Sequence, residues 1–241
     1  MKAIMVNSGR GTRMGEYTQE RPKCLLDLIE GETILSRQVK ALALNNIRDI
    51  IITTGAFAEQ IEKYMNAVFP DLRVTYVHNP YYASTNYIYS LYLAKERLVL
   101  GKDAVYFMHG DLVFEPSVLH DLVESAPLTA AIVDSSIPPP PKDFKARINA
   151  GHITSISVAL NGPEDYFLAP LYKFSAEAFE LWMKEIAIFV SSGNTRVYAE
   201  DALERIYGQI ALVPLDIQGR LCREVDTYQD LLEVRAYLSA R

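Results

Sequence analysis

Lys2-Ala3-Ile4-Met5-Val6-Asn7-Ser8-Gly9-Arg10-Gly11-Thr12-Arg13-Met14, with Arg21-Pro22-Lys23 a short way downstream, is the stretch that decides the fold. Ala3 to Val6 is a short apolar run and reads as a buried strand. The glycine-rich stretch Asn7 to Gly15 follows it at once. Glycines in such a turn let backbone N–H groups approach phosphate oxygens without obstruction by a Cβ. Two well-known loops fail here. No lysine follows Gly11 or Gly15 as a P-loop requires, and the third glycine of a dinucleotide fingerprint is replaced by Met14, with Gly15 one place late. What remains is a loop crowded with Arg10, Arg13, Arg21 and Lys23, partly offset by Glu16 and Glu20. Such local positive charge suits a triphosphate. A solvated basic loop would explain the charges alone, but not a strand, glycines and a lysine behind proline together.

Outward from this loop, apolar runs alternate with amphipathic segments. Strands are expected at Asp49 to Thr54, Val74 to Val77 and Ala104 to Met108, and helices at Thr33 to Asn45, Ala58 to Val68, Asn86 to Leu98 and Pro116 to Glu124. This alternation predicts an α/β domain with a mostly parallel sheet. After Val133 the pattern changes. The prolines Pro138 to Pro141 must be extended and read as a stiff surface connection. Beyond them come paired strands in Ala146 to Leu160 around a turn at Asn149–Gly151, and a strand at Phe167 to Phe174. Helices follow at Ala176 to Val190, Ala199 to Tyr207 and Thr227 to Leu238. The expected plan is one domain over residues 1–241, with a nucleotide-binding half (1–133) and an acceptor half (134–241).

Composition narrows the partners. Of 241 residues, 49% are hydrophobic and 22% charged, which allows a sizeable core and excludes general disorder. The net charge of -6 argues against non-specific nucleic-acid binding. The two cysteines, Cys24 and Cys222, form no CxxC pair and read as reduced buried thiols. The apolar run after Lys2 is too short for a signal peptide and no stretch approaches a membrane span, so a soluble, cytoplasmic protein is expected.

The loop GxGTRM followed by RPK resembles the signature of the sugar-phosphate nucleotidyltransferase superfamily, and within it the CTP:phosphocholine cytidylyltransferases and their relatives. Three further blocks carry the resemblance: His78 to Leu91 (HNPYYASTNYIYSL), His109-Gly110-Asp111, and Arg223-Glu224-Val225-Asp226-Thr227. The resemblance implies a Rossmann-like, mostly parallel mixed sheet flanked by helices. It implies CTP and a small phosphorylated acceptor as partners, Mg²⁺ as cofactor and a homodimer as an open option. It assigns Lys23 and Arg13 to catalysis, and Asn7, Ser8, Gly9, Arg10, Gly11, Thr12, Thr85, Asn86 and Ser90 to nucleotide binding. Asp111 and Asp226 become the metal ligands, with Glu224 more readily a surface carboxylate. Asp226 could instead cap the following helix. Where relatives carry Asp-x-Asp, His109 stands first here, which leaves one metal or two open.

The acceptor's tail is expected near Tyr198, Glu200 and Asp201. A quaternary ammonium needs aromatic faces, and Trp182, the one tryptophan, sits mid-helix and reads as core. Glu200 and Asp201 suit a primary ammonium; an exposed acidic helix start is the plain alternative. The four histidines lack metal-ligand spacing, and only His109, beside Asp111, stands out. The expected reaction is attack of a phosphate or phosphonate oxygen on the α-phosphorus of CTP, without a general base. Rival readings are a sugar-1-phosphate nucleotidyltransferase using another triphosphate, or a non-catalytic nucleotide-binding module.

Overall fold

The computed structural model describes residues 1–98 and 101–240. In chain order its strands and helices are β1 (Lys2–Asn7), β2 (Asp27–Ile29), β3 (Glu32–Thr33), α1 (Ile34–Leu44), β4 (Asp49–Thr54), α2 (Ala58–Val68), β5 (Arg73–His78), α3 (Tyr87–Ala94), β6 (Val105–His109), β7 (Leu112–Phe114) and α4 (Pro116–Glu124). The second half adds β8 (Ala130–Asp134), β9 (Lys145–Asn149), β10 (His152–Ser157), β11 (Tyr166–Phe174), α5 (Ala176–Ser191), α6 (Ala199–Leu203), β12 (Val213–Asp216), β13 (Cys222–Glu224) and α7 (Tyr228–Ser239).

The central sheet runs β10-β9-β11-β6-β1-β4-β5, with β8 pairing β11 and β12 pairing β8. β1 lies between β4 and β6, parallel to both, with Met5 opposite Ile52 and Met108. Continuous apolar runs suit these strands because helices cover both faces. β11 is antiparallel to β6 and ties the C-terminal half into the same sheet. The expected mixed, mostly parallel sheet is therefore present.

One face packs against α3, α5 and α6 through Phe107, Tyr172, Phe174, Phe179 and Trp182. Trp182 is fully buried, as expected, stacks at 5.0 Å on Phe174, and donates its indole N–H to the Ala199 carbonyl at 2.9 Å. The other face packs α1 and α4 onto the sheet through Leu35, Val39, Leu42, Leu119 and Leu122. A third cluster, with Met14, Ile34, Val113, Leu231 and Val234, fastens the glycine loop to α7. α1 starts where Thr33 and Ser36 close a reciprocal cap, with Ser36 N–H donating to Thr33 Oγ1 at 3.1 Å.

The expected helix over 199–207 ends at Leu203 and tightens into a single 3-10 turn at Glu204–Ile206. β8 and the short strands β2, β3, β7, β12 and β13 were not expected; two to five residues carry too little periodicity to be read. The hairpin around Asn149–Gly151 is present, with Ala150 and Gly151 at positive φ. Among the described residues, no helix is long and apolar enough to cross a membrane.

The prolines form a strap that delivers Lys142 and Phe144 to the mouth of the cleft described below. Its anchor is Lys145, a buried ammonium donating to the carbonyls of Pro141 (3.1 Å), Asp143 (3.1 Å) and Val158 (2.8 Å). Lys145→Met keeps the bulk but strips three carbonyls, the Asp143 one buried and the others partly so, of their donor, and should destabilise the fold by ~1–3 kcal/mol in urea unfolding. A loss below about 0.5 kcal/mol, the level of an ordinary surface substitution, would show that the strap does not depend on this anchor.

Candidate functional site

Open parallel sheets place ligands beyond the carboxyl ends of their strands. The ends of β1 and β6 open here onto a cleft of about 300 Å³, lined by the glycine loop, Lys23, Asn79, Thr85 to Tyr87, Ser90, His109 to Asp111, Lys142, Phe144, Val158, Tyr198, Glu224 and Asp226. Gly11 occupies the left-handed region at φ 67°, and a Cβ there would lie 3.2 Å from Lys23 Cβ. Glycine at 11 therefore satisfies the turn and admits the lysine stem. The loop is held beneath by Ser8, which donates to Thr53 Oγ1 at 2.9 Å, and by buried Met14.

Lys23 lies at the floor. Its ammonium is 2.5 Å from Asp111 Oδ2 and 2.9 Å from Asp226 Oδ1, while Arg13 reaches Asp226 Oδ2 at 2.7 Å. Burial alone would depress the lysine pKa, but the two carboxylates reverse this and hold it above the ordinary value. Burial would raise Asp111; Lys23 and then His109 outweigh it and hold the carboxyl below the usual range.

These distant acids meet because β7 and β13 form a two-stranded ribbon, with Glu224 opposite Leu112, and because Val225 N–H donates to the Asp111 carbonyl at 3.0 Å. Gln38 sets the turn beneath Asp111 by donating to the His109 and Leu112 carbonyls at 2.8 and 2.7 Å. Thr227, not Asp226, caps α7, in a box with Asp230. Asp226 is thereby spared the cap, and its carboxylate turns to Lys23 and Arg13.

His109, Asp111 and Glu224 each offer a ligand atom, all within 4.8 Å of one another. Asp111 Oδ1 is buried without a hydrogen-bond partner among the described residues. Hard oxygen donors and an unsatisfied carboxylate oxygen fit a divalent cation. Asp226, the other expected ligand, is committed through both oxygens to Arg13 and Lys23. Glu224 is not a surface carboxylate: it is largely buried, 2.8 Å from His109 Nδ1. Burial, then Asp111, pushes Glu224 up to about 7. Burial lowers His109, but Glu224 outweighs it and pushes the imidazole up to about 9.

The other expected residues divide. Asn7, Ser8, Gly9, Gly11, Thr12 and Arg13 line the cleft; Arg10 is exposed outside it. Thr85 and Ser90 line it while holding Asn79, whose amide donates to them at 3.1 and 3.0 Å. Asn86 caps α3 through Oδ1. Tyr198 lines the cleft, but Glu200 and Asp201 do not. Glu200 is buried behind the wall, where it accepts hydrogen bonds from the hydroxyls of Tyr87 and Tyr172. Asp201 accepts from Tyr198 N–H at 2.8 Å and so caps α6. Asn79 lies in the block Asn79 to Ser90 expected to line the base, although it is not one of the individually named candidates; Lys142 and Phe144 were missed, since strap residues show no spacing that marks them. Both cysteines are free and buried, and burial pushes the Cys24 thiol up to about 12.

The family model of the MobA-like NTP transferase domain matches residues 3–153. The chain belongs to that family. It is 32% identical over 135 residues to the CMP-5'-(3-aminopropyl)phosphonate synthase of Streptomyces rubellomurinus, covering 56% of this chain but only 21% of that protein. It is 22% identical over 255 residues to the CTP:phosphoglutamine cytidylyltransferase of Campylobacter jejuni, covering 96% of this chain and 98% of the relative. The solved CTP:phosphocholine cytidylyltransferase of Streptococcus pneumoniae superposes with a TM-score of 0.80 at 21% identity over 98% of both chains, which establishes the shared fold. These findings agree with the resemblance carried by the loop and its three companion blocks.

Gly110 separates the loop from the Asp111 turn: a Cβ there would fall 1.9 Å from Asn7 Oδ1, whereas Gly9 has nothing within 4 Å. Gly110→Ala should therefore cost ~1–3 kcal/mol of stability by overpacking, and Gly9→Ala under about 0.5 kcal/mol as an unhindered site. Equal midpoints for the two variants in urea would contradict this packing.

Proposed function

We propose that this chain transfers the cytidylyl group of CTP to a small phosphorylated or phosphonylated acceptor and releases pyrophosphate. The observation that carries the reading is Lys23 clamped between Asp111 and Asp226 where the glycine loop meets the acceptor wall. The relatives' stated activities support CTP and a small acceptor bearing phosphorus.

The acceptor oxygen that attacks the α-phosphorus is already anionic near neutral pH, so the protein need not remove a proton. Its task is to bring two anions together and neutralise the charge that builds in the transition state. Loop amides from Ser8 to Thr12 and the Arg13 guanidinium hold the β- and γ-phosphates, and Lys23 bridges the α-phosphate and the attacking group. Lys142, on the opposite wall, meets the acceptor's anion; at rest it pairs with Asp230 at 2.7 Å. The cytosine lies toward the Asn79, Thr85, Asn86 and Ser90 wall. A divalent cation, Mg²⁺ by the hardness of its donors, would be held by Asp111 with Glu224 or Asp226, and supplies further charge neutralisation when bound.

The test is pyrophosphate release from each common nucleoside triphosphate with Mg²⁺ and a panel of phosphocholine, phosphoethanolamine, 2-aminoethylphosphonate, phosphoglutamine and sugar-1-phosphates. Release with CTP and a small non-sugar acceptor is expected. Release with another triphosphate and a sugar-1-phosphate would contradict the reading, and nucleotide binding without release would indicate a non-catalytic module. Lys23→Ala, shown to be folded by circular dichroism, should lower turnover on the order of a hundredfold or more, the loss typical of one preorganised donor. Turnover within about fivefold of the parent at saturating substrates would remove Lys23 from the chemistry.

A further inference from the structure

The acceptor side of the cleft is an aromatic box. Tyr87 and His109 meet edge to face at 4.6 Å, Tyr198 lies 5.0 Å from Phe144 and 6.0 Å from Tyr87, and Phe144 closes on His109 at 6.1 Å. All four rings line the cleft. Such rings accept alkyl chains and cations of many kinds, so they do not choose among tails. The polar atoms of the box do.

The Tyr87 hydroxyl is committed to Glu200, so this ring offers the cleft a carbon face. Two carboxylates behind the box are committed too, and Asp111, whose Oδ1 has no partner among the described residues, is the proposed cation ligand. Glu200 is engaged by the hydroxyls of Tyr87 and Tyr172, and Glu224 by His109 Nδ1. His109 is different. Its ring is fixed by the Glu224 bond at 2.8 Å, by Tyr87 and by Phe107 at 5.7 Å, yet Nε2 is buried with no hydrogen-bond partner among the described residues. A buried polar atom left without a partner is costly, and a pocket that presents one favours the ligand that satisfies it.

We propose that His109 Nε2 is the hydrogen-bonding contact for the acceptor's tail. The tail therefore ends in a group that can both donate and accept, such as an amide or a hydroxyl, and not in a trimethylammonium. This rests on the cytidylyl-transfer reading of the same cleft. A trimethylammonium has neither a polar hydrogen nor a lone pair, so it fills the box while leaving Nε2 unsatisfied. An amide or hydroxyl meets Nε2 in either protonation state of the ring, since Nε2 donates in one and accepts in the other, whereas an ammonium, which only donates, meets the neutral ring alone. His109 is thus a specificity-determining residue, supported from behind by Glu224 and walled by Tyr87.

The test compares phosphoethanolamine, 2-aminoethylphosphonate and phosphoglutamine with phosphocholine as acceptors for CTP. For the parent protein, kcat/KM with the best polar tail should exceed that with phosphocholine by at least tenfold, mostly through KM. His109→Phe, which keeps an aromatic ring but removes both nitrogens, should shrink that ratio about tenfold. His109→Gln, which restores an amide at similar reach, should recover part of it. The concentration of Mg²⁺ needed for half-maximal rate should stay within threefold in both variants; a larger shift would give His109 a role at the metal, directly or through Glu224, and overturn the assignment. A parent that prefers phosphocholine, or a ratio unchanged in His109→Phe, would also overturn it. Should the variants not fold, the ¹⁵N signal of His109 Nε2 in the parent must move with a polar-tailed acceptor and stay in place with phosphocholine; equal movement is the overturning result. If no acceptor is used although CTP binds, the transfer reading itself fails and the inference falls with it. Transfer with the wrong tail preference overturns the inference alone.

Discussion

One ammonium group organises this molecule. Lys23 meets Asp111, 88 positions away, and Asp226, 203 positions away, in a single ionic cluster at the floor of the cleft. Burying a charge is expensive unless partners compensate it, and two carboxylates confined together repel each other. The lysine makes their proximity tolerable, and they in turn keep it charged. Every neighbouring feature follows from holding this cluster together. Gly11 gives way to the lysine stem, Gln38 braces the turn before β7, and the β7–β13 ribbon sets Glu224 to Asp226 alongside Asp111.

The same cluster explains how the two halves of the chain come to share one cleft. Lys23 belongs to the loop after β1, whereas Asp226 belongs to the C-terminal half, so the two halves join at the ion pairs as well as through β11. The proline strap closes the arrangement. It is stiff by composition, anchored by Lys145, and linked by Lys142 to Asp230, whose Oδ2 also accepts from the backbone N–H groups of Asp226 and Thr227 at 3.0 and 2.7 Å. One carboxylate thus fixes both the start of α7 and a basic side chain lining the cleft.

Much of this was legible from residues alone. The strand, the left-handed glycine and the lysine behind Pro22 are local features, and β1, β4 and β6 show as continuous apolar runs because both their faces are buried. The identities of Asp111 and Asp226 came from resemblance. Their meeting depends on β13, a three-residue strand with too little pattern to be read. Glu200 is the instructive case. An acidic residue at a helix start suggests a solvated or substrate-facing charge, yet here it is 1% exposed because two tyrosine hydroxyls from α3 and β11 converge on it. The sequence shows a carboxylate; only tertiary packing shows that its role is to hold rings. His109 and Glu224 follow the same rule, since a pair brought together by the β7–β13 ribbon has no signature along the chain.

The account stands on Lys23 exchanging carboxylates for phosphate. A crystal structure with CTP and Mg²⁺ tests this most directly. The expected result is triphosphate seated on the Ser8 to Thr12 backbone, with Lys23 Nζ hydrogen-bonded to a phosphate oxygen and released from at least one of Asp111 and Asp226. Nucleotide bound away from the glycine loop, or a lysine still clamped by both carboxylates and touching no phosphate, would contradict it.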